Sequence, residues 1–197
     1  HYKLLDWLIK NNKTDVELTY NTNLSTLNYK KYDVFELWKN FKNVSLWPSV
    51  DGYKTHCQYS RTNFNWNTFE TNLLKVKKYV KTVSCTTSIY SILSTPELIG
   101  HMKALNISTY LSVLDTPYYL DMRLLPKNVK NHINKKFDIL FKKIPLTPLE
   151  KENIIMTVEY LNKSMNKDSK KLLKQFKLFN EEVDEINNTS YVKIFPE

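Results

Sequence analysis

Residues 82–114 read TVSCTTSIYSILSTPELIGHMKALNISTYLSVL, and their pattern decides the fold. Residues 82–89 are rich in β-branched types, which suit a pleated, half-buried surface, and so predict a strand. Thr95 is expected to cap the following helix, with Pro96 at its first position, where a missing N–H costs least. Leu98, Ile99, Met102 and Leu105 then recur at helical spacing. Residues 107–114 predict a further strand. Strand, helix and strand in that order form a βα unit, which implies parallel pairing.

The same alternation runs back toward the amino terminus. Leu5, Leu8 and Ile9 share one face of a helix over residues 2–11, and residues 16–20 read as a short strand. Val34, Trp38 and Phe41 recur at helical spacing before a strand over 44–50. Trp66, Phe69, Leu73, Val76 and Val80 step by three and four, predicting a helix over 65–80. The strands near 16–20, 44–50, 83–89 and 107–114 should be adjacent and parallel, with helices covering one face. Four strands are too few to close an eight-stranded barrel. An open sheet with exposed edges points to a missing piece.

Beyond residue 115 the pattern becomes helical. Asp115-Thr116-Pro117 reads as a turn. Val129, Ile133, Phe137 and Leu140 stripe one helix, and Leu172, Phe176, Phe179, Val183 and Ile186 stripe another. Thr147 and Glu150 form a capping box between them, the hydroxyl and carboxylate each satisfying an N–H of the first turn. The fold class is therefore α/β, with an α/β core over residues 1–115 and a helical carboxyl-terminal region over 116–197.

Twenty-nine Lys and Arg against twenty Asp and Glu leave a net charge of +9, which favours nucleic acid, acidic lipid or an acidic substrate as partner. The lysines are scattered over most helices, and no nucleic-acid motif accompanies them; nucleic acid stays as an alternative partner. No apolar run approaches the length of a membrane span. Cys57 and Cys85 have no CxxC spacing, which argues against zinc or a disulfide framework and fits a cytoplasmic location. The four histidines show no metal spacing, and His101 should face solvent or cap a helix carbonyl.

Polar clusters sit where the strands should end: Tyr20-Asn21-Thr22-Asn23, Ser49-Val50-Asp51-Gly52, Thr86-Thr87-Ser88, and Ser112 with Asp115. In parallel α/β folds ligands gather outside the carboxyl ends of the strands, so convergence of these groups would build a polar pocket. Asn, Ser and Asp also make ordinary turns after strands, and periodicity alone leaves both readings open.

The order Thr22-Asn23, Ser49-Val50-Asp51-Gly52 and Tyr59-Ser60-Arg61 before Trp66 and Phe69 resembles radical SAM enzymes of the SPASM/twitch group. The carboxyl end resembles the tail of twitch proteins, many encoded by phages, through Asn187-Asn188-Thr189-Ser190 and Phe195-Pro196-Glu197. The resemblance covers essentially the whole chain. It implies part of a radical SAM (β/α) barrel followed by a helical twitch-like extension. It also implies S-adenosylmethionine as cofactor, cleaved at a four-iron four-sulfur cluster to a 5′-deoxyadenosyl radical that abstracts hydrogen from a substrate, a peptide fitting the group best.

At matching positions the resemblance implies that Ser49 binds the methionyl carboxylate or ribose and that Arg61 pairs with the carboxylate through its planar donor fork. Asn23 would shape the pocket floor, Asp51 would order the loop through its backbone, and Leu114 or Val113 would pack on adenine. The sequence departs from the family in lacking CxxxCxxC and Gly-Gly-Glu, which would lie before residue 1. Leu24 also stands where many relatives have Gly, and Pro48 directly precedes Ser49. Two separated cysteines offer too few thiolates for a cluster, so none is expected on this chain, which alone should be inactive. The competing expectations are a non-catalytic basic interaction module and a degenerate homologue without the cluster.

Overall fold

The computed structural model describes residues 1–165 and 167–195; Pro196 and Glu197, part of the tail resemblance, lie outside them. The first half runs α1 (Tyr2–Lys10), β1 (Glu17–Thr22), a small hairpin of β2 (Asn28–Tyr29) and β3 (Tyr32–Asp33), α2 (Val34–Trp38), β4 (Asn43–Val50), α3 (Thr55–Ser60) and α4 (Trp66–Val76). Next come β5 (Val83–Thr87), α5 (Thr95–Ala104), β6 (Thr109–Val113), α6 (Lys127–Lys143), α7 (Pro148–Asn162), α8 (Ser169–Asn187) and α9 (Tyr191–Ile194).

The four long strands form one parallel sheet in the order β1-β4-β5-β6. β4 pairs with β1 from Asn43 to Pro48 and with β5 only from Ser49 onward, apart from a bridge between Leu46 and Val80. Pro48 sits at this hand-over, where its missing N–H removes the least pairing.

Along β4 the side chains alternate, with Val44, Leu46, Pro48 and Val50 buried and Asn43, Ser45, Trp47 and Ser49 less so. Val83, Cys85 and Leu111 extend the buried side, and Leu98, Ile99 and Met102 belong to the same core. The opposite side carries Thr86, Tyr110 and Ser112 and is more open. Parallel sheets are ordinarily covered on both faces; the alternation here is that of a sheet packed on one.

Helix ends follow local chemistry. α4 buries Trp66, Phe69, Leu73 and Val76 and then stops, short of the expected residue 80. Val80 is drawn into the bridge with Leu46, and Lys81 N–H donates to the Leu46 carbonyl at 3.0 Å. Thr95 does not cap α5: Ser94 occupies the cap position, and the Thr95 hydroxyl donates back to the Ser91 carbonyl at 2.9 Å. The Thr147–Glu150 capping box opens α7 as expected.

Val129, Ile133, Phe137 and Leu140 bury one stripe of α6. The α8 stripe is shorter than expected: Phe176 is buried, but Ile186 is 80% exposed, because the stripe outlasts the surface it packs on. His101 neither faces open solvent nor caps a carbonyl. Its Nε2 meets Glu70 Oε1, joining α5 to α4, with the Tyr53 and Trp66 rings beside it.

The outer edge of β6 is closed by a side chain. Asn153 on α7 accepts from Leu111 N–H at 2.7 Å and donates to the Leu111 carbonyl at 3.0 Å, imitating one residue of a neighbouring strand. An edge capped in this way offers less to a second sheet.

Candidate functional site

β4 delivers Ser49 and Asp51 to the carboxyl end of the sheet. Gly52 turns the chain with φ +106°, and a Cβ there would come within 3.1 Å of Ser94 Oγ and 3.2 Å of Ser91 Cα. Glycine meets both demands, since it has no side chain and no penalty at positive φ. α3 then brings Arg61 back over the strand end as its terminal cap residue.

Arg61 Nε donates to Asp51 Oδ2 at 2.6 Å and Nη2 to Oδ1 at 3.1 Å, a bidentate pair on the side edge of the guanidinium. Nη1 points to Ser49 Oγ at 3.3 Å. Of the five N–H groups of an arginine, three are thus used, and two remain for another acceptor. Burial alone would lower the Arg61 pKa, but the hydrogen bonds and charge of Asp51 raise it. Asp51 orders this region chiefly through its carboxylate, while its backbone N–H lies 3.4 Å from Cys57 Sγ.

A cleft of about 320 Å³ opens beside this pair, within the size range of small-molecule sites. Asp51, Arg61, Thr86 and Ser88 give it a polar wall; Leu114, Leu120, Phe179 and Val183 give it an apolar one. A larger cavity of about 530 Å³ lies between Trp47, Tyr110 and the start of α7. It is reached from the residues preceding β5 and β6 and lacks a comparable guanidinium, so the smaller cleft at the strand ends is the chemical candidate.

Tyr59 and Tyr90 also line the cleft. Their hydroxyls both donate to Asn180 Oδ1, at 2.9 and 2.8 Å, and burial pushes both phenols up, so they remain donors at neutral pH. Asn180 Nδ2 in turn donates to the Phe176 carbonyl at 2.7 Å.

The sequence-derived site residues are therefore only partly gathered. Ser49, Asp51 and Arg61 form one hydrogen-bonded group; Asp51, Arg61 and Leu114 line the cleft, and Ser49 is joined to it through Arg61. Asn23 is exposed and accepts from Ser25 N–H at 3.1 Å, making a local turn rather than a cleft wall. Thr22 likewise accepts from Leu24 N–H at 3.1 Å. Leu24 holds φ +50° with its side chain buried, an L-residue in a conformation glycine adopts without cost.

Tyr90, Leu120, Phe179 and Asn180 were not singled out as site residues. Asn180 had a signal: it lies one turn past Phe176 on an otherwise apolar stripe, where a polar side chain needs a buried partner.

Cys57 and Cys85 are both buried, and burial pushes their thiols up to about 11 and about 12. Among the described residues, no group of three or more His, Cys, Asp or Glu side chains is placed to hold a metal ion. Nor does any helix of the described residues have the length and apolarity to cross a membrane. No protein-family model, curated protein or solved structure matches the chain.

Proposed function

We propose that the chain is the carboxyl-terminal part of a radical SAM enzyme, its sheet forming one wall of a partial (β/α) barrel and its strand-end cleft holding part of S-adenosylmethionine. The observation that carries this reading is the Arg61 guanidinium, held on its side edge by Asp51 and directed toward Ser49 at the carboxyl end of a parallel sheet. Two N–H groups left over on a fixed guanidinium suit one carboxylate in a charge-assisted, directional contact.

Each residue then has a task. Arg61 binds the methionyl carboxylate, Ser49 adds a hydroxyl, and Asp51 fixes the guanidinium so that little ordering remains when the cofactor arrives. Leu114 supplies apolar contact to the adenine side of the cleft. Asn23 acts only by shaping the turn after β1. The more open face of the sheet, with Thr86, Tyr110 and Ser112, supports an incomplete barrel, because the strands of a closed parallel barrel are buried on both faces.

When bound, the cofactor with its cluster supplies a carbon-centred radical for hydrogen abstraction; the protein contributes orientation and exclusion of water. The thiols of this chain do not fit the cluster. They are two in number and buried in the protonated form, whereas cluster ligation takes several converging thiolates. No step is assigned to them, and the substrate, a peptide in this reading, meets the complete protein. The test is the coding sequence before His1. A CxxxCxxC segment followed by Gly-Gly-Glu supports the proposal, and an upstream sequence lacking both overturns it.

A further inference from the structure

We infer that α8 and α9 together form a lid over the strand-end cleft, separable from the sheet as one unit and latched shut by Asn180. The lid covers the cleft directly, since Phe179 and Val183 on α8 supply its apolar wall opposite Asp51 and Arg61.

The unit holds together internally. Both Asp184 carboxylate oxygens accept from Tyr191 N–H, at 2.9 and 2.8 Å, and Thr189 N–H donates to the Asp184 carbonyl at 3.0 Å. α9 is therefore tied to the last turns of α8 and travels with it.

Its attachment to the rest is slight. Of the 19 residues of α8 only Phe176 and Asn180 are buried, while Leu173, Leu178 and Ile186 face outward. α8 rests on the short turns Tyr118–Leu120 and Met122–Leu124, and α9 rests on α3. Across residues 169–187 and 191–195 the buried apolar side chains are Phe176 and Phe195, with Leu172, Val183, Tyr191 and Ile194 partly buried; a unit held by so small a patch opens at a lower free energy than the core that carries it.

The latch is polar at the centre of an apolar stripe. A helix packed permanently at that position would gain from an apolar side chain; Asn180 instead accepts from Tyr59 on α3 and from Tyr90 after β5. When the lid lifts, all three groups can hydrogen-bond water, so the open state strands no buried donor. Around the latch the rings of Tyr191 and Phe195 contact Tyr59 and Tyr90 with centroids 5.4–6.1 Å apart. Closure thus covers the cleft beside the Arg61–Asp51 pair, whose side chains stay 24% and 22% exposed, and opening admits a ligand to it.

The lid does not depend on the identity of the cofactor, and neither does its test. Native-state hydrogen exchange on the unaltered chain should show the amides of 169–187 and 191–195 exchanging as one group. That group should exchange about tenfold or more faster than β4 and β5 and with weaker dependence on denaturant. Asn180→Ala, which removes the acceptor of two hydroxyls without adding apolar contact, and Tyr191→Ala should each widen that gap.

Phenylglyoxal provides a second readout, because Arg61 and Arg123 are the only arginines and Arg123 pairs with Asp121 outside the cleft. Modification of Arg61 relative to Arg123 should rise in both variants. Exchange of α8 in step with β4 and β5, at one rate and one denaturant dependence, overturns the lid. So does an unchanged Arg61 to Arg123 ratio in variants that fold. Should neither variant fold, the exchange of the unaltered chain decides.

Discussion

Replacing Asp51 by alanine tests whether the Arg61 pair is a positioned structural unit. The carboxylate accepts at 2.6 and 3.1 Å, and a hydrogen bond to a charged group contributes about 1.5–3 kcal/mol when well shielded. Here the side chains of Arg61 and Asp51 are 24% and 22% exposed, so water screens the pair and its contribution falls toward the surface range. About 2 kcal/mol for both bonds together is the resulting expectation.

With a urea dependence of about 2 kcal/mol per molar, that loss moves the unfolding midpoint down by about 1 M at constant slope. Tryptophan fluorescence and circular dichroism under reducing conditions follow the transition. A double-mutant cycle with Arg61→Ala isolates the pair, and the coupling should be about 1–2 kcal/mol. A midpoint unchanged by Asp51→Ala, or a coupling indistinguishable from zero, refutes the view that Asp51 fixes Arg61.

Three further outcomes follow from neighbouring features. Gly52→Ala should lower stability by about 1–3 kcal/mol in the same urea assay, since φ is +106° and the Ser91 backbone lies 3.2 Å from the new Cβ; wild-type stability contradicts it. Asn153→Ala should cost about 1–2 kcal/mol by uncapping Leu111 and should raise self-association in sedimentation, because the β6 edge is opened. Stability should decline in alkali: the folded Cys57 and Cys85 thiols hold their protons to about 11 and about 12 against 9.0 for an ordinary thiol. Unfolding then releases protons above pH 9, so that contribution is present below pH 9 and is lost as pH rises through about 11 for Cys57 and about 12 for Cys85. Cys85→Ala should flatten the decline, as read from urea midpoints between pH 8 and 11.

The strands were legible because their signal is local. The Val, Thr and Ile content of 82–89 and 107–114 marks strands wherever they pack, and the intervening helix sets their parallel sense. Ser49 and Asp51 were legible at a strand end marked by such local signals, whereas Arg61 entered through the family resemblance, since α3, which it caps, carries no apolar repeat. Asn23 makes a turn with Ser25 apart from the cleft lining, because a polar residue after a strand serves a turn as readily as a pocket, and nothing in its own sequence distinguishes the two.

What escaped depends on distant contacts. The join of Tyr59 and Tyr90 to Asn180 spans 121 and 90 residues, so periodicity could show a polar break in the α8 stripe but not its partners. The expectation that His101 faces solvent or caps a helix carbonyl fails because its companion Glu70 lies on another helix. α3 is a six-residue helix without an apolar repeat, and it appeared only once its ends had been packed.

The central claim concerns the carboxylate site, and calorimetric titration of S-adenosylmethionine into the full-length protein tests it most directly. Arg61→Lys keeps the charge but cannot reproduce the planar fork, so it should weaken binding about tenfold to hundredfold. A parent protein that fails to bind the cofactor, or a lysine variant that binds it as tightly as the parent, contradicts the account.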